Sequence, residues 1–221
     1  MKDNRVLLGF SGGIDSFAAV GLLQAAGYHV TALTLDMRGD SALLEKARLR
    51  AGALGIPWRM RSVRERFERE VVDYFTDNYF RGRTPAPCTR CNSRIKWPCL
   101  AAEADALGIR YIATGHYFRI TSAGGKRYVT RAADNRKDQS YYLWDLPQEI
   151  LDRVLTPMGT VIKRNIVEEL ADRRESMGVC FFEGRPCRDF LRSRDKTEAL
   201  RPGPIIDSAG HRLGTHDGAA L

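Results

Sequence analysis

The stretch GFSGGIDS, Gly9 to Ser16, decides the fold of this 221-residue chain. The residues before it, Arg5 to Phe10, predict a short buried strand, and the alanine-rich run Phe17 to Ala26 after it predicts a helix closed by Gly27. A glycine turn between strand and helix lets backbone N–H groups approach an anion, so we expect a phosphate here. A tight turn without a ligand is the alternative. The stretch lacks the lysine of a Walker A loop, and it lacks GxGxxG, so a dinucleotide fingerprint has no support.

Composition and charge limit the class of protein. With 43% hydrophobic residues, the chain can bury one substantial α/β core and a small appendage. Thirty-five Lys and Arg against 27 Asp and Glu give a net charge of +8, which makes nucleic acid or another polyanion a reasonable partner. Interleaved glutamates indicate that ion-paired, solvated helix faces account for much of one crowded arginine region, namely Arg48, Arg50, Arg59, Arg61, Arg64, Arg66 and Arg69.

The N-terminal residues and the cysteines bear on the compartment. The apolar run within MKDNRVLLGF is too short for the core of a signal peptide, and no run approaches the length of a membrane span. We therefore expect a cytoplasmic protein without a membrane partner. In that reducing compartment, the five cysteines are expected to be catalytic, metal-binding or buried rather than structural disulfides.

Strand and helix patterns alternate along the chain, which predicts an α/β fold with a parallel sheet and helices on both faces. In such sheets ligands bind at the C-terminal ends of the strands, where the glycine turn and His116 both fall. The two prolines of Gly82 to Asn92 predict a loop. Further predicted strands are His29 to Leu35, Trp58 to Arg61 and Tyr111 to Thr114, and further helices are Ala42 to Leu54, Arg64 to Phe80 and Ser93 to Leu107.

Five stretches, in this order, carry a resemblance to a known family. They are SGGIDS, GRTPAPCTRCN, IATGHY at Ile112 to Tyr117, KDQSYYLW at Lys137 to Trp144, and ESMGVCFF at Glu175 to Phe182. The first looks like the pyrophosphate loop of the ATP pyrophosphatase (PP-loop) group, whose enzymes adenylate a carbonyl oxygen and release pyrophosphate. Together the five resemble the tRNA-specific 2-thiouridylases of the MnmA type.

The resemblance implies a fold and a reaction. The expected fold is Rossmann-like, of the adenine nucleotide alpha hydrolase type, with residues 1–182 as the ATP-binding and catalytic domain. Residues 183–221 are expected to be a small, incomplete C-terminal segment, the start of a β-rich tRNA-binding region that is truncated. The expected reaction is ATP-dependent 2-thiolation of the wobble uridine of tRNA, in which the C2 oxygen is adenylated and a cysteine persulfide supplies the sulfur. That reaction makes the chain a tRNA-uridine 2-sulfurtransferase.

The resemblance also assigns residues to the nucleotide and to the sulfur. Asp15 is expected to hold the phosphates of ATP through Mg²⁺, since a bare carboxylate would repel them. Cys180 resembles the persulfide carrier, and Cys91 resembles the nucleophile that ends in a disulfide bond with it. Arg90, Arg94 and Lys96 could supply the positive field that a thiolate needs. The residues expected to bind the nucleotide are Gly9, Phe10, Ser11, Gly12, Gly13, Ile14, Asp15, Ser16, Leu35 and Gly115.

Partners follow from the same resemblance. They are tRNA and a persulfide sulfur donor, either a cysteine desulfurase or a sulfur relay protein. The residues expected to contact tRNA are Ala86, Pro87, Cys88, His116, Lys137, Asp138 and Gln139. Cys88 departs from the family, which carries an aspartate there.

Several alternatives stay open on the residues alone. Cys180 could be a buried core thiol, and Cys88 with Cys91 could be a redox pair or half a zinc site, although the remaining cysteines supply no second CxxC. His116 could be a structural hydrogen-bonding residue, and Lys137 to Gln139 could simply open a helix through Trp144. The chain could instead adenylate another acceptor, or it could be a tRNA-binding or sulfur-carrier protein with little activity.

Overall fold

The computed structural model describes residues 4–164, 178–194 and 200–218, and its centre is a five-stranded parallel sheet. The strands in these residues are β1 (Arg5–Gly9), β2 (His29–Asp36), β3 (Trp58–Ser62), β4 (Tyr111–Thr114), β5 (Arg119–Ala123), β6 (Lys126–Thr130), β7 (Val154–Leu155), β8 (Gly203–Ile206) and β9 (Arg212–His216). The sheet order is β3-β2-β1-β4-β7, and every neighbouring pair is parallel. The predicted α/β fold with a Rossmann-like parallel sheet is confirmed.

Helices cover both faces of this sheet. They are α1 (Ile14–Ala25), α2 (Ser41–Ala53), α3 (Arg64–Phe67), α4 (Tyr74–Phe80), α5 (Pro87–Cys91), α6 (Trp97–Ala106), α7 (Gln148–Leu151) and α8 (Cys187–Arg194). Two π-helical stretches interrupt the long helical runs: Glu68–Asp73 joins α3 to α4, and Asn92–Lys96 joins α5 to α6. No helix in the described part of the chain is long and apolar enough to cross a membrane.

The core lies on both sides of β1, which is why its sequence is continuously apolar. Val6 and Leu8 pack in one cluster with α1 and α2, whereas Leu7 packs on the opposite face with Trp97 and Leu100 of α6. All five side chains are buried. A strand buried on both faces needs apolar residues at every position, and that is the sequence signature of a parallel sheet inside an α/β protein.

A third cluster lies beside the sheet and carries the cysteine helix. Phe67 and Phe75 of the α3–α4 run pack edge-on against Phe181, and Phe190 of α8 joins them. Cys91 is buried in the same cluster. These aromatic contacts attach the segment that carries Cys180 to the face of the domain that carries α5.

The prediction of a loop from Gly82 to Asn92 is wrong for its second half. Pro87 begins α5, and the chain stays helical from there to Ala106. Proline is tolerated in the first turn of a helix, because its missing N–H has no intrahelical acceptor there. The two prolines therefore mark the entry to a helix and not the extent of a loop.

The possible helix from Lys137 to Trp144 is reduced to one 3-10 turn, Ser140–Tyr142. The reason is local, because the Asp138 carboxylate accepts hydrogen bonds from the Ala132 N–H and the Ser140 hydroxyl. Side chains that bind nearby backbone in this way compete with regular helix.

Two antiparallel hairpins stand apart from the main sheet, β5 with β6 and β8 with β9. The second hairpin lies in the region expected to be β-rich. The domain boundary at residue 182 stays a prediction. Residues 175–177 of the ESMGVCFF stretch lie outside the described residues.

Candidate active site

A cleft of about 350 Å³ opens at the C-terminal ends of β1, β2 and β4. This is the sheet edge at which α/β proteins place their ligands. The predicted site residues that line it are Gly9, Phe10, Ser11, Asp15, Ser16, Leu35, Gly115, His116, Gln139 and Cys180. The structure thus brings the glycine turn, the end of β4 and one of the two predicted catalytic thiols to one cavity.

The glycine turn has a fixed shape that needs its glycines. Gly12 has a φ of +68°, and a Cβ there would lie 2.9 Å from the Cα of Ala47. Ser11 Oγ accepts the Gly13 N–H at 3.2 Å, and Ser16 Oγ donates to the Gly13 carbonyl at 3.1 Å. Gly13 precedes α1 without any side-chain cap, so the helix presents backbone N–H groups and its positive dipole end toward the cleft.

Gly115 brings the end of β4 against the start of α1. A Cβ at Gly115 would lie 2.8 Å from the backbone nitrogen of Ser16 and 2.9 Å from the carbonyl carbon of Asp15. Only glycine permits this approach, which places His116 beside the glycine turn.

Asp15 is held by two residues that sequence reasoning did not single out. Tyr117 donates its hydroxyl to Oδ1 of Asp15 at 3.0 Å, and Lys163 Nζ lies 2.9 Å from Oδ2. Tyr117 is the last residue of the IATGHY stretch, so its place in that motif was the signal in the sequence for a role at the site. Lys163 follows an unremarkable VI pair and reaches Asp15 only through the fold.

The Asp15 carboxylate is engaged by protein groups on both of its oxygens. Both of its carboxylate oxygens already accept hydrogen bonds from protein groups, one of them from an ammonium. Among the residues that the structure describes, no group of three or more His, Cys, Asp or Glu side chains could hold a metal ion. Lys163 supplies a positive charge beside Asp15, and the expected role of Asp15 through Mg²⁺ stays a prediction.

His116 lies on the cleft wall as a neutral imidazole. Its Nδ1 is 2.8 Å from Thr114 Oγ1, and its ring centre is 6.3 Å from that of Trp97. Burial lowers the pKa of His116 to about 3, with a smaller contribution from the nearby charge of Lys96. A neutral imidazole can exchange hydrogen bonds with a nucleobase without adding charge to the cleft.

The two predicted catalytic thiols lie in different environments. Cys180 is exposed and lines the cleft, which argues against a core thiol, whereas Cys91 is buried at the end of α5. Burial raises the pKa of the Cys91 thiol to about 11, although Lys96 opposes this; the neighbouring Cys180 and Cys88 raise it further. The three thiols are thus close enough to interact electrostatically, and all are free.

The positive field expected around Cys91 comes from Lys96 and not from Arg90. The guanidinium of Arg90 stacks on the Tyr74 ring at 4.3 Å and donates to the Glu70 carbonyl at 2.5 Å, so it is committed to the α3–α4 run. Lys96 lines the cleft and lowers the pKa of both Cys91 and Cys88, for which burial is the larger and opposing cause. Lys96 is the last residue of the π-helical stretch Asn92–Lys96.

The residues expected to contact tRNA surround the cleft without all entering it. Ala86 precedes α5 and Pro87 is its first residue, and the Ser140–Tyr142 turn packs beside that helix. Gln139 lines the cleft, while its side-chain oxygen accepts the Tyr117 N–H at 3.0 Å. Both carboxylate oxygens of Asp138 accept hydrogen bonds from within the chain, so Asp138 stabilises the turn. Lys137 and Cys88 are half-buried and do not line the cavity.

Comparison with solved structures supports the fold alone. The fold is similar to that of a crystal structure described as a "predicted subunit of tRNA methyltransferase" from Methanocaldococcus jannaschii. The TM-score is 0.53 and the sequence identity is 16%, and the match covers 86% of this chain and 87% of that one.

Comparison of sequences is more informative. A "tRNA-specific 2-thiouridylase MnmA 2" from Phocaeicola vulgatus is 42% identical over 98% of this chain, and a "tRNA-specific 2-thiouridylase MnmA" from Carboxydothermus hydrogenoformans is 38% identical over 97%. The chain spans 65% of the length of each relative. The profile of the family described as "tRNA methyl transferase HUP domain" matches residues 4–184. The chain therefore belongs to that family, and the resemblance to the tRNA-specific 2-thiouridylases predicted from its five stretches is confirmed.

Proposed function

We propose that the chain carries the adenylating and sulfur-transferring part of a tRNA 2-thiouridylase, acting on the wobble uridine. The observation that supports this most directly is the shared cleft, which is lined by the glycine turn, by the neutral His116 and by the exposed thiol of Cys180. Nucleotide, target base and sulfur would meet there. The similarity to two named 2-thiouridylases points to the same chemistry.

The first half of the reaction is adenylation. ATP would place its phosphates against the glycine turn and the N-terminus of α1, and the cleft floor at Leu35 and Gly115 would border the adenosine. The C2 oxygen of the uridine attacks the α-phosphate, and pyrophosphate leaves. Magnesium stays a prediction of the resemblance, and any such ion would be held mainly by the phosphates of the nucleotide.

The second half transfers sulfur. A persulfide donor, a cysteine desulfurase or a relay protein, would load one sulfur atom onto Cys180. The terminal sulfur attacks C2, and AMP leaves with the C2 oxygen. The Cys91 thiolate then attacks the Cys180 sulfur, which forms a Cys91–Cys180 disulfide and leaves the terminal sulfur on the base as C2=S. A thiol reductant restores both cysteines. Because burial raises the pKa of the Cys91 thiol to about 11, the proposed attack requires that this thiol first becomes accessible and loses its proton.

Product analysis tests the proposal. The chain is incubated with ATP, unmodified tRNA and a persulfide donor, nucleotides are separated, and digested tRNA is analysed by mass spectrometry. We expect AMP, pyrophosphate and 2-thiouridine. Cys91→Ser and Cys180→Ser should each abolish thiolation while AMP still forms, and Cys88→Ser should reduce it only in part. ADP and phosphate as products, or full thiolation by Cys180→Ser, would contradict the assignment.

One observation favours a second candidate, an adenylating enzyme with another acceptor. Burial keeps Cys91 protonated at neutral pH, as in a structural thiol, while the glycine turn is fully formed. AMP and pyrophosphate that form with tRNA but without incorporation of sulfur, in the wild type and in Cys91→Ser alike, would support this candidate.

A further inference from the structure

One short surface segment beside the cleft exposes three aromatic side chains. Tyr141 and Trp144 are each 68% exposed, and Tyr142 is 37% exposed. Leu143 and Leu146, which alternate with them, are buried in the core cluster of α6. The two leucines are thus the side chains by which this segment packs into the core. Burial in the core does not explain the rings, and exposed aromatic clusters of this kind mark interaction surfaces.

The backbone that carries these rings is held in place. The Tyr117 N–H donates to the side-chain oxygen of Gln139, and the Gln139 N–H donates in return to the Tyr117 carbonyl at 2.8 Å. Asp138 ties the start of the turn to Ala132 and Ser140. A rigid backbone lowers the entropy cost of binding a partner on the rings.

The segment lies next to both α5 and the cleft. Its turn packs beside α5, the helix of Cys88 and Cys91, and Gln139 just before it lines the cleft. The residues that lead into α5 expose Arg81 and Arg83, whereas Asp145 and Glu149 are exposed beyond Trp144. The chain near this surface thus exposes basic side chains before α5 and acidic side chains after Trp144.

We propose that Tyr141, Tyr142 and Trp144, the aromatic platform, stack unpaired bases of an RNA loop next to the nucleotide that enters the cleft. The inference rests on tRNA as the substrate of the proposed function. Aromatic faces bind bases of any sequence, because every base has a face that can stack. Tyr141 and Tyr142 contact each other edge-to-face, with ring centres 5.6 Å apart and planes at 77°.

Binding without ATP tests the platform separately from catalysis. The probe is a fluorescent 17-nucleotide anticodon stem-loop RNA, compared with a duplex of equal length that has no loop. We expect Tyr141→Ala and Trp144→Ala each to weaken binding of the stem-loop by about five- to hundredfold, and to leave binding of the duplex unchanged. Tyr141→Phe keeps the ring and should bind like the wild type.

Tyr128→Ala is the matched control. Tyr128 is 47% exposed, and its neighbour Val129 packs against the core, so the Tyr128 ring points to the other face of the β5–β6 hairpin. Unchanged affinity in Tyr141→Ala and Trp144→Ala would overturn the platform, as would an equal loss for the duplex or no binding of RNA by the wild type. Platform-dependent binding without any thiolation would uphold the platform while the proposed function fails.

Discussion

His116 makes the stability of the protein depend on pH. The pKa of His116 is about 3 in the fold against an ordinary value of 6.5, because desolvation in the wall of the cleft disfavours the charged imidazole and Lys96 lies nearby. Between these values the unfolded chain takes up a proton that the folded chain does not. Stability is therefore fully present above pH 6.5 and is lost as the pH falls, by up to about 1.4 kcal/mol per pH unit.

We predict that His116→Asn flattens this dependence. Asparagine can place a polar atom near the position of Nδ1 and so keep a hydrogen bond to Thr114, but it does not titrate. Urea unfolding midpoints measured from pH 7.5 to pH 5 should fall for the wild type and stay nearly level for the variant. His29→Asn, at an exposed position, is the control and should follow the wild type. Parallel curves for all three proteins would show that the imidazole is not the group responsible.

Lys163 is a site residue that could not be predicted from the sequence. Lys163 contacts Asp15 across 148 positions of the chain, and no local pattern predicts such a pair. Its side chain is 9% exposed and that of Asp15 is 34% exposed, so the pair lies at the edge of the cleft where phosphates are proposed to bind.

We predict that Lys163→Met weakens ATP binding about tenfold or more, because the uncompensated Asp15 carboxylate would then repel the phosphates. Lys163→Met combined with Asp15→Asn should recover part of the affinity, since the repelling charge is gone. Isothermal titration with a non-hydrolysable ATP analogue measures both. Lys126→Met on the exposed hairpin is the control. An additive loss in the double variant would contradict this electrostatic role.

At the scale of elements, sequence patterns predicted the strands better than the cysteine helix. The predicted strand Tyr111 to Thr114 agrees at both ends, because its apolar run is followed directly by Gly115. The predicted strands that begin at His29 and Trp58 are each one residue short at the C-terminal end, where no glycine marks the boundary. Helix α5 was not predicted, since its proline at the first position looks the same in sequence as a proline in a loop. The burial of Cys91 on this helix depends on contacts with aromatic residues that are distant in sequence, such as Phe181.

The junction of β4 and α1 gives an element-scale prediction. Gly115→Ala would place a Cβ 2.8 Å from backbone of α1, which cannot move away cheaply, so we expect a loss of about 1–3 kcal/mol and weaker nucleotide binding. Gly21→Ala in the same helix meets nothing within 4 Å and should stabilise by about 0.5–1 kcal/mol. Thermal unfolding of the two variants compares the sites directly, and equal shifts would show that the close approach is not needed.

At the scale of the whole molecule, the alternation of strands and helices predicted the architecture and the sheet edge that carries the site. The alternation could not predict which positive charges are available to a nucleic acid. Arg48 and Arg66 form ion pairs with Glu45 and Glu70, as the interleaved glutamates indicated, and Arg64 pairs with Asp36 of β2. The total of 35 Lys and Arg therefore overstates the number of basic side chains that are available to a partner.

Salt dependence distinguishes the two kinds of arginine. Each phosphate neutralised by an arginine releases counterions and steepens the fall of log K with log salt by about 0.7–0.9. Arg83 is exposed at the entry to α5, so we expect Arg83→Ala to reduce that slope by about one contact and to weaken tRNA binding equally for different tRNAs. Arg48 is hydrogen-bonded to Glu45 at 2.6 Å and 2.8 Å on α2, and Arg48→Ala should leave both quantities unchanged. Filter binding from 50 to 300 mM KCl provides the slopes. A reduced slope in Arg48→Ala with none in Arg83→Ala would move the RNA to the α2 face and away from the cleft mouth.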